Sequence, residues 1–243
     1  MEDEQAILAS AEFLAILSHE LKSPLTVIMG LSEALQEGVY GPLTPKQAAS
    51  LKTIEDSGKK LLTQLSNLVD LSRIDTGKLE LDLQKLNIKL CCEQAIARVR
   101  SRVLKNGQTI SFSSDGLMES VLADRQRVGQ ILDNLLDNAV KHLPQAGEIQ
   151  VTATGLRDEA MGLVSVWHDG PAFPQDKVKL MLNPLMPMKA GERRRYEGGW
   201  LSLLLVRMLA ELHGGRLDVQ SEQDKGTRYT VSLPLAKTNG GGP

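Results

Sequence analysis

The residues best suited to chemistry in this sequence begin at His19-Glu20, followed four positions after the histidine by Ser23. A neutral imidazole nitrogen is a nucleophile for phosphorus, and an adjacent carboxylate can orient or accept the proton on the other ring nitrogen. Glu20 is the base that this pair offers. A lone surface histidine is more often only a solvated side chain, so the pair needs context. A second group lies in Asn134-Leu135-Leu136-Asp137-Asn138-Ala139-Val140-Lys141-His142, where helical spacing sets Asn134, Asn138 and Lys141 in one polar stripe beside an apolar face. A solvated face is the ordinary reading of such a stripe, yet mid-helix asparagines have mediocre propensity and bring the helix no obvious benefit. Two further segments, Trp167-His168-Asp169-Gly170-Pro171-Ala172-Phe173-Pro174 and Gly198-Gly199-Trp200-Leu201-Ser202-Leu203, carry glycines beside a strand and ahead of a helix. Glycine there lets a backbone bring its N–H groups close to phosphate.

Periodicity defines the elements that must hold these groups. Leu14, Leu17, Leu21, Ile28, Leu31 and Leu35 recur at threes and fours between Glu12 and Glu37, which predicts a helix with an apolar seam. His19 falls roughly 170° from the centre of that seam and so faces solvent, with Ser23 on the same face. Pro24 interrupts the pattern, but the seam spacing continues in phase across it, which predicts a kinked continuous helix over the competing reading of a new helix capped by Ser23 with Pro24 at its first position. Two glycines and two prolines between Gly38 and Pro45 end the helix, and a second seam runs Leu51, Ile54, Gly58, Leu61, Leu65 and Leu68. One antiparallel hairpin cannot cover both of its apolar faces, so the pattern predicts a homodimer closed as a four-helix bundle. After Gly77 the period changes. Alternation predicts strands at 80–88, 108–112, 148–154, 162–167, 216–221 and 227–233, with helices at 90–104, 125–142 and 201–213 between them. The fold class is α+β: a helical hairpin over residues 1–77, an α/β sandwich over 78–237 and a glycine-rich tail over 238–243. The stretch 175–198, rich in Met, Pro and Arg, predicts a functional loop or lid.

Composition narrows the function classes. At 42% hydrophobic and 24% charged the chain sits near the globular average, which disfavours disorder. A formal net charge of −2 and 3% aromatic residues offer neither a positive field nor stacking platforms, so nucleic acid is not an expected partner. Cys91 and Cys92 are adjacent, which disfavours a framework disulfide and suggests a reducing, cytoplasmic setting. The apolar runs fall short of a membrane span, so any upstream sensory or membrane-associated module lies outside this chain.

Ser18-His19-Glu20-Leu21-Lys22-Ser23-Pro24-Leu25 closely resembles the H box of sensor histidine kinases, and the run from Asn134 to His142 resembles the N box of the GHKL-type ATPase domain that these kinases share. The resemblance implies ATP-dependent autophosphorylation of His19, followed by transfer to an aspartate on a response-regulator receiver domain, with ATP and Mg²⁺ as cofactors. It also implies roles for single residues. Asn138 is the Mg²⁺ ligand through its amide oxygen, Asn134 supports the metal–phosphate site, Lys141 meets phosphate charge and His142 lies near the ribose or base. Ser23 stands where the family has a threonine or asparagine that orients water for dephosphorylating the regulator. Gly170 belongs to the first glycine box, and Gly198 and Gly199 to the second.

The glycine boxes depart from the family pattern. In the register that keeps Gly170 and Pro174 in place, His168 occupies the position of the adenine-binding aspartate and offers no anionic acceptor to the adenine amino group. Sliding Asp169 into that role displaces both matches. Ala172, Trp200 and Ser202 replace glycines, and weakened ATP binding is the expectation. A pseudokinase scaffold or regulator phosphatase is therefore the alternative reading, with a His phosphotransfer protein loaded by another kinase between the two. A GHKL chaperone or repair ATPase leaves the exposed His19 on its hairpin unexplained.

Overall fold

A computed structural model of the chain describes residues 2–116, 120–156, 159–174, 178 and 200–236. The chain divides into two compact units, Met1–Leu79 and Glu80–Pro243.

In the first unit, helices α1 (Glu2–Gln36) and α2 (Pro45–Asp75) pack against each other as a hairpin. Helix α1 runs unbroken through Pro24, so Ser23 is a mid-helix residue and not the cap of a new helix. Proline leaves the Glu20 carbonyl without its usual i+4 donor, a local defect that an exposed turn tolerates. Helix α2 begins on a reciprocal capping box: the Thr44 hydroxyl accepts from the Gln47 amide at 3.3 Å, and the Gln47 side chain accepts from the Thr44 N–H at 2.9 Å. The inner face is narrow at one level, where a Cβ on Gly58 would lie 2.8 Å from Met29 Cγ. Ser18, Ser32, Asn67 and Leu71 are buried in the hairpin. Leu17, Leu21, Ile28 and Leu31 of α1, with Ile54, Leu61 and Leu68 of α2, remain 36–52% exposed in the single chain. These two leucine-rich seams form an apolar face that the hairpin does not cover itself.

The second unit contains, in chain order, β1 (Leu83–Leu86), α3 (Ile88–Lys105), β2 (Thr109–Ser114), β3 (Val121–Asp124), α4 (Arg125–His142), β4 (Glu148–Leu156), β5 (Met161–His168), α5 (Trp200–Leu212), β6 (Arg216–Glu222) and β7 (Gly226–Pro234). Five strands make one sheet in the order β2-β4-β5-β7-β6, parallel between β2 and β4 and antiparallel elsewhere. The short strand β3, which the sequence pattern does not predict, pairs with β1 in a separate two-stranded sheet. Alternate residues of the large sheet, Ile149, Val151, Val164, Val166, Tyr229, Val231, Leu217 and Val219, are buried. They meet the apolar faces of α3, α4 and α5, including Ile88, Val99, Ile131, Leu135, Leu205 and Leu209. Cys91 and Cys92 are free and buried in α3, and burial foremost pushes the Cys92 thiol up to about 12. Both are packing residues.

Two caps fix the helices that flank the candidate site. Asp124 caps α4, its Oδ1 accepting from the Gln126 and Arg127 amides at 2.8 and 3.0 Å while Oδ2 accepts from the Asp82 amide at 3.0 Å. Burial alone would raise this carboxyl, but the three backbone donors and the Arg127 charge hold it below its usual range. Buried His213, just past α5, donates from Nδ1 to the Leu209 carbonyl at 2.7 Å and accepts the Asp124 N–H on Nε2 at 3.1 Å. The end of α5 is thereby tied to the start of α4.

Candidate functional site

His19 projects from α1 with its side chain 85% exposed, as the seam geometry predicts. Its Nδ1 lies 3.6 Å from Glu20 Oε1, and the Glu20 side chain is itself 73% exposed. The carboxylate thus lies on the Nδ1 side of the ring, at more than hydrogen-bond distance, and leaves the Nε2 side open. Ser23 is exposed on the same helix. Nothing sequesters this pair within the hairpin, and an exposed nucleophile can be reached by a partner domain.

On α4 the asparagines behave differently from a solvated stripe. Asn134 is 8% and Asn138 4% exposed, whereas Lys141 is exposed and His142 half-buried. Each asparagine donates from Nδ2 to the carbonyl one turn earlier, Asn134 to Gln130 at 2.9 Å and Asn138 to Asn134 at 2.8 Å. A carbonyl oxygen only accepts, so the amide nitrogen must face it and Oδ1 must face away. The Asn138 nitrogen also donates to Ser202 Oγ, 3.1 Å distant on α5. Among the described residues no cluster of three or more His, Cys, Asp or Glu could hold a metal ion. The amide oxygen of Asn138 is a hard donor of the kind that could serve a divalent cation which takes few protein ligands and completes its shell with water and phosphate oxygens.

The first glycine segment closes against the end of α4. Gly170 sits where a Cβ would come 2.7 Å from the His142 carbonyl oxygen and 2.8 Å from His168 Nδ1, so only glycine fits. Phe173 packs edge-on against the His142 ring at 5.0 Å, and its N–H donates to Ser221 Oγ at 2.8 Å. Ser221 in turn bonds Thr227 Oγ1 at 2.7 Å, so β6 and β7 pin the loop. His168, at the end of β5, is fully buried. The Gly170 N–H donates to its Nδ1 at 3.1 Å, which places the ring proton on Nε2, a buried atom with no partner. Burial, then the nearby His142, holds this imidazole down at about 4, so it is neutral near pH 7. Where the resemblance expects an anionic acceptor, the chain carries a neutral ring. Asp169 does not replace it: its Oδ1 accepts the Glu148 N–H at 2.8 Å and serves the start of β4. Gly198 and Gly199, with the lid segment before them, lie outside the described residues.

Residues 9–77 match the family model described as His Kinase A (phospho-acceptor) domain, and residues 123–237 match the one described as Histidine kinase-, DNA gyrase B-, and HSP90-like ATPase. The chain belongs to the sensor histidine kinases. Among the curated relatives of this kinase core, the circadian input-output histidine kinase CikA of Synechococcus elongatus is 32% identical over 93% of the chain. Histidine protein kinase DivJ of Caulobacter vibrioides is 33% identical over 96%. The kinase core spans 30% of CikA and 39% of DivJ. Full-length ShkA, solved in complex with AMPPNP, superposes with a TM-score of 0.74 at 27% identity, covering 93% of the core and 46% of ShkA. ThkA, solved in complex with response regulator protein TrrA, shares the fold at 21% identity and a TM-score of 0.63, over 97% of the core and 64% of that chain. Among the described residues of the kinase core, no helix is long and apolar enough to cross a membrane.

Three contacts of this histidine kinase escaped sequence reasoning: Asn138 with Ser202, Phe173 with Ser221, and Ser221 with Thr227. The second would not show in any pattern, because its donor is a backbone N–H. The hydroxyls at Ser221 and Thr227, on the otherwise apolar inward faces of β6 and β7, were the available signal for the third.

Proposed function

We propose that the chain is the catalytic core of a two-component sensor kinase, which phosphorylates His19 from ATP and passes the phosphoryl group to an aspartate of a response-regulator receiver domain. The observation that carries this reading is the exposed His19 with Glu20 set against Nδ1. In the first step Nε2 attacks the γ-phosphorus of ATP, the bond to the β–γ bridging oxygen breaks, and ADP leaves with that electron pair. The Nδ1 proton passes to Glu20. In the second, a receiver carboxylate oxygen attacks the phosphorus, the P–N bond breaks, and its electrons return to the ring as Nδ1 regains its proton. Asn138 Oδ1, supported by Asn134, would hold Mg²⁺, which supplies positive charge to the substrate phosphates. Lys141 meets those phosphates, and His142 with Gly170 borders the base or ribose. Ser23 would orient a water for hydrolytic dephosphorylation of the response regulator.

The uncovered apolar face of the hairpin supports a homodimer, and the AMPPNP bound in ShkA supports a nucleotide in this core. Incubation with labelled ATP and Mg²⁺ should give acid-labile phosphate on the chain, and His19→Gln should abolish it while leaving the fold unchanged. Labelling of histidine that persists in that variant would refute the assignment.

A further inference from the structure

We infer that Ser202 is a positioning residue for the cation site, where it locks the side-chain amide of Asn138 with its oxygen turned outward. This inference rests on the reading of Asn138 as the Mg²⁺ ligand. At the level of sequence Ser202 is only a missing glycine, a change expected to hinder phosphate binding. In the structure its hydroxyl does something specific. The two donor positions of Asn138 Nδ2 are both used, one by the Asn134 carbonyl at 2.8 Å and the other by Ser202 Oγ at 3.1 Å. An amide held by one hydrogen bond can still rotate about its last side-chain torsion, whereas an amide held by two in different directions keeps its plane and its polarity. Asn138 is 4% exposed and its neighbours Leu135 and Ala139 are fully buried, so the packed wall behind it adds to that restraint.

The two partners come from different elements. Asn134 belongs to the same helix, α4, and only restrains Asn138 within it; Ser202, in the first turn of α5, ties the ligand to the second helix of the site. Mg²⁺ demands near-ideal octahedral geometry, so a ligand oxygen fixed in advance favours it more than a mobile one does. A glycine at 202 has no atom with which to make this bond. The substitution therefore adds an anchor that the family pattern lacks, at a place where the sequence alone suggests erosion.

The test is the binding of a fluorescent ATP analogue to the full chain at increasing Mg²⁺ concentration, for the unmodified chain, Ser202→Ala, Ser202→Gly, Ser202→Thr and Asn138→Ala, each checked for helix content. Loss of one hydrogen bond of ordinary strength predicts that Ser202→Ala and Ser202→Gly need about three- to tenfold more Mg²⁺ for half-maximal binding. Affinity without Mg²⁺ should stay the same, and Ser202→Thr, which keeps the hydroxyl, should restore the original Mg²⁺ curve. A merely structural role would lower both affinities together. If Asn138→Ala shifts the Mg²⁺ curve but Ser202→Ala and Ser202→Gly do not, or if they bind more tightly, the positioning role is overturned and the cation site stands. If Asn138→Ala leaves the curve unchanged, or the unmodified chain binds no analogue at any Mg²⁺ concentration, the cation-site reading fails and takes the inference with it.

Discussion

At the end of β5 the imidazole of His168 is neutral, buried and fixed in one tautomer, and its protonation must oppose folding. Its folded pKa, about 4, lies below the ordinary 6.5, so between those values the unfolded chain binds more protons than the folded one. Stability is then full above pH 6.5 and falls as pH drops towards 4, by up to about 3 kcal/mol. Urea unfolding of the chain across that window should show the loss, and His168→Asn should flatten it, because Asn Oδ1 can still accept the Gly170 N–H without titrating. An equal slope in that variant would assign the acid sensitivity elsewhere. The same position bears on nucleotide affinity. His168→Asp would return an anionic acceptor, one carboxylate oxygen replacing Nδ1 towards Gly170 and the other left for an adenine amino group. A gain in ATP affinity of about tenfold is expected by calorimetry, the scale of one hydrogen bond to a charged group. Ser202, which sequence reasoning pairs with His168 as a second defect, should not be changed with it: Ser202→Gly removes the bond to Asn138.

Among the elements, the β6–β7 turn has little freedom at Gly226. Gly226 has φ of +76°, and a Cβ there would lie 2.1 Å from the His168 carbonyl oxygen, with β7 paired directly against β5 at that level. Backbone, not a movable side chain, occupies that space. Gly226→Ala should therefore destabilise the second unit by about 3 kcal/mol or more, through both the left-handed backbone and the clash. Thermal unfolding followed by circular dichroism checks this, and a change within about 0.5 kcal/mol would show that the turn relaxes freely. The caps tell a similar story for α4. Asp124 is placed at the end of β3, so the strand that sequence reasoning misses is also the strand that sets the start of the asparagine helix.

On the scale of the whole molecule, the proposed homodimer rests on the hairpin's uncovered face. The sequence groups Leu61, Leu65 and Leu68 in one seam, but in the structure Leu65 is half-buried while Leu61 and Leu68 point outward. Leu61, 45% exposed, is thus the better place to disturb a dimer without emptying the hairpin core. Leu61→Asp should convert a dimer into a folded monomer in sedimentation velocity, since burying an unpaired carboxylate against a second hairpin is strongly unfavourable. A dimer that survives the substitution, or a monomeric parent, would count against association through this face.

The sequence by itself determined the helical hairpin, the exposure of His19 and the alternation of strands and helices that places the asparagines on α4. These are local properties: a period of 3.6 or 2 states which residues share a face, and Glu20 is adjacent to His19 in the chain. The in-phase seam on either side of Pro24 also indicated that α1 continues through it, whereas packing decided whether Asn134 and Asn138 face solvent or interior. Packing also decided the contacts that give the site its character. Ser202 meets Asn138 across 64 residues, Phe173 meets Ser221 across 48, and His213 meets Asp124 across 89. The orientation of an amide, the tautomer of an imidazole and the protonation of a buried ring depend on partners brought by other elements and on the loss of water around them, and no periodicity in one segment encodes either.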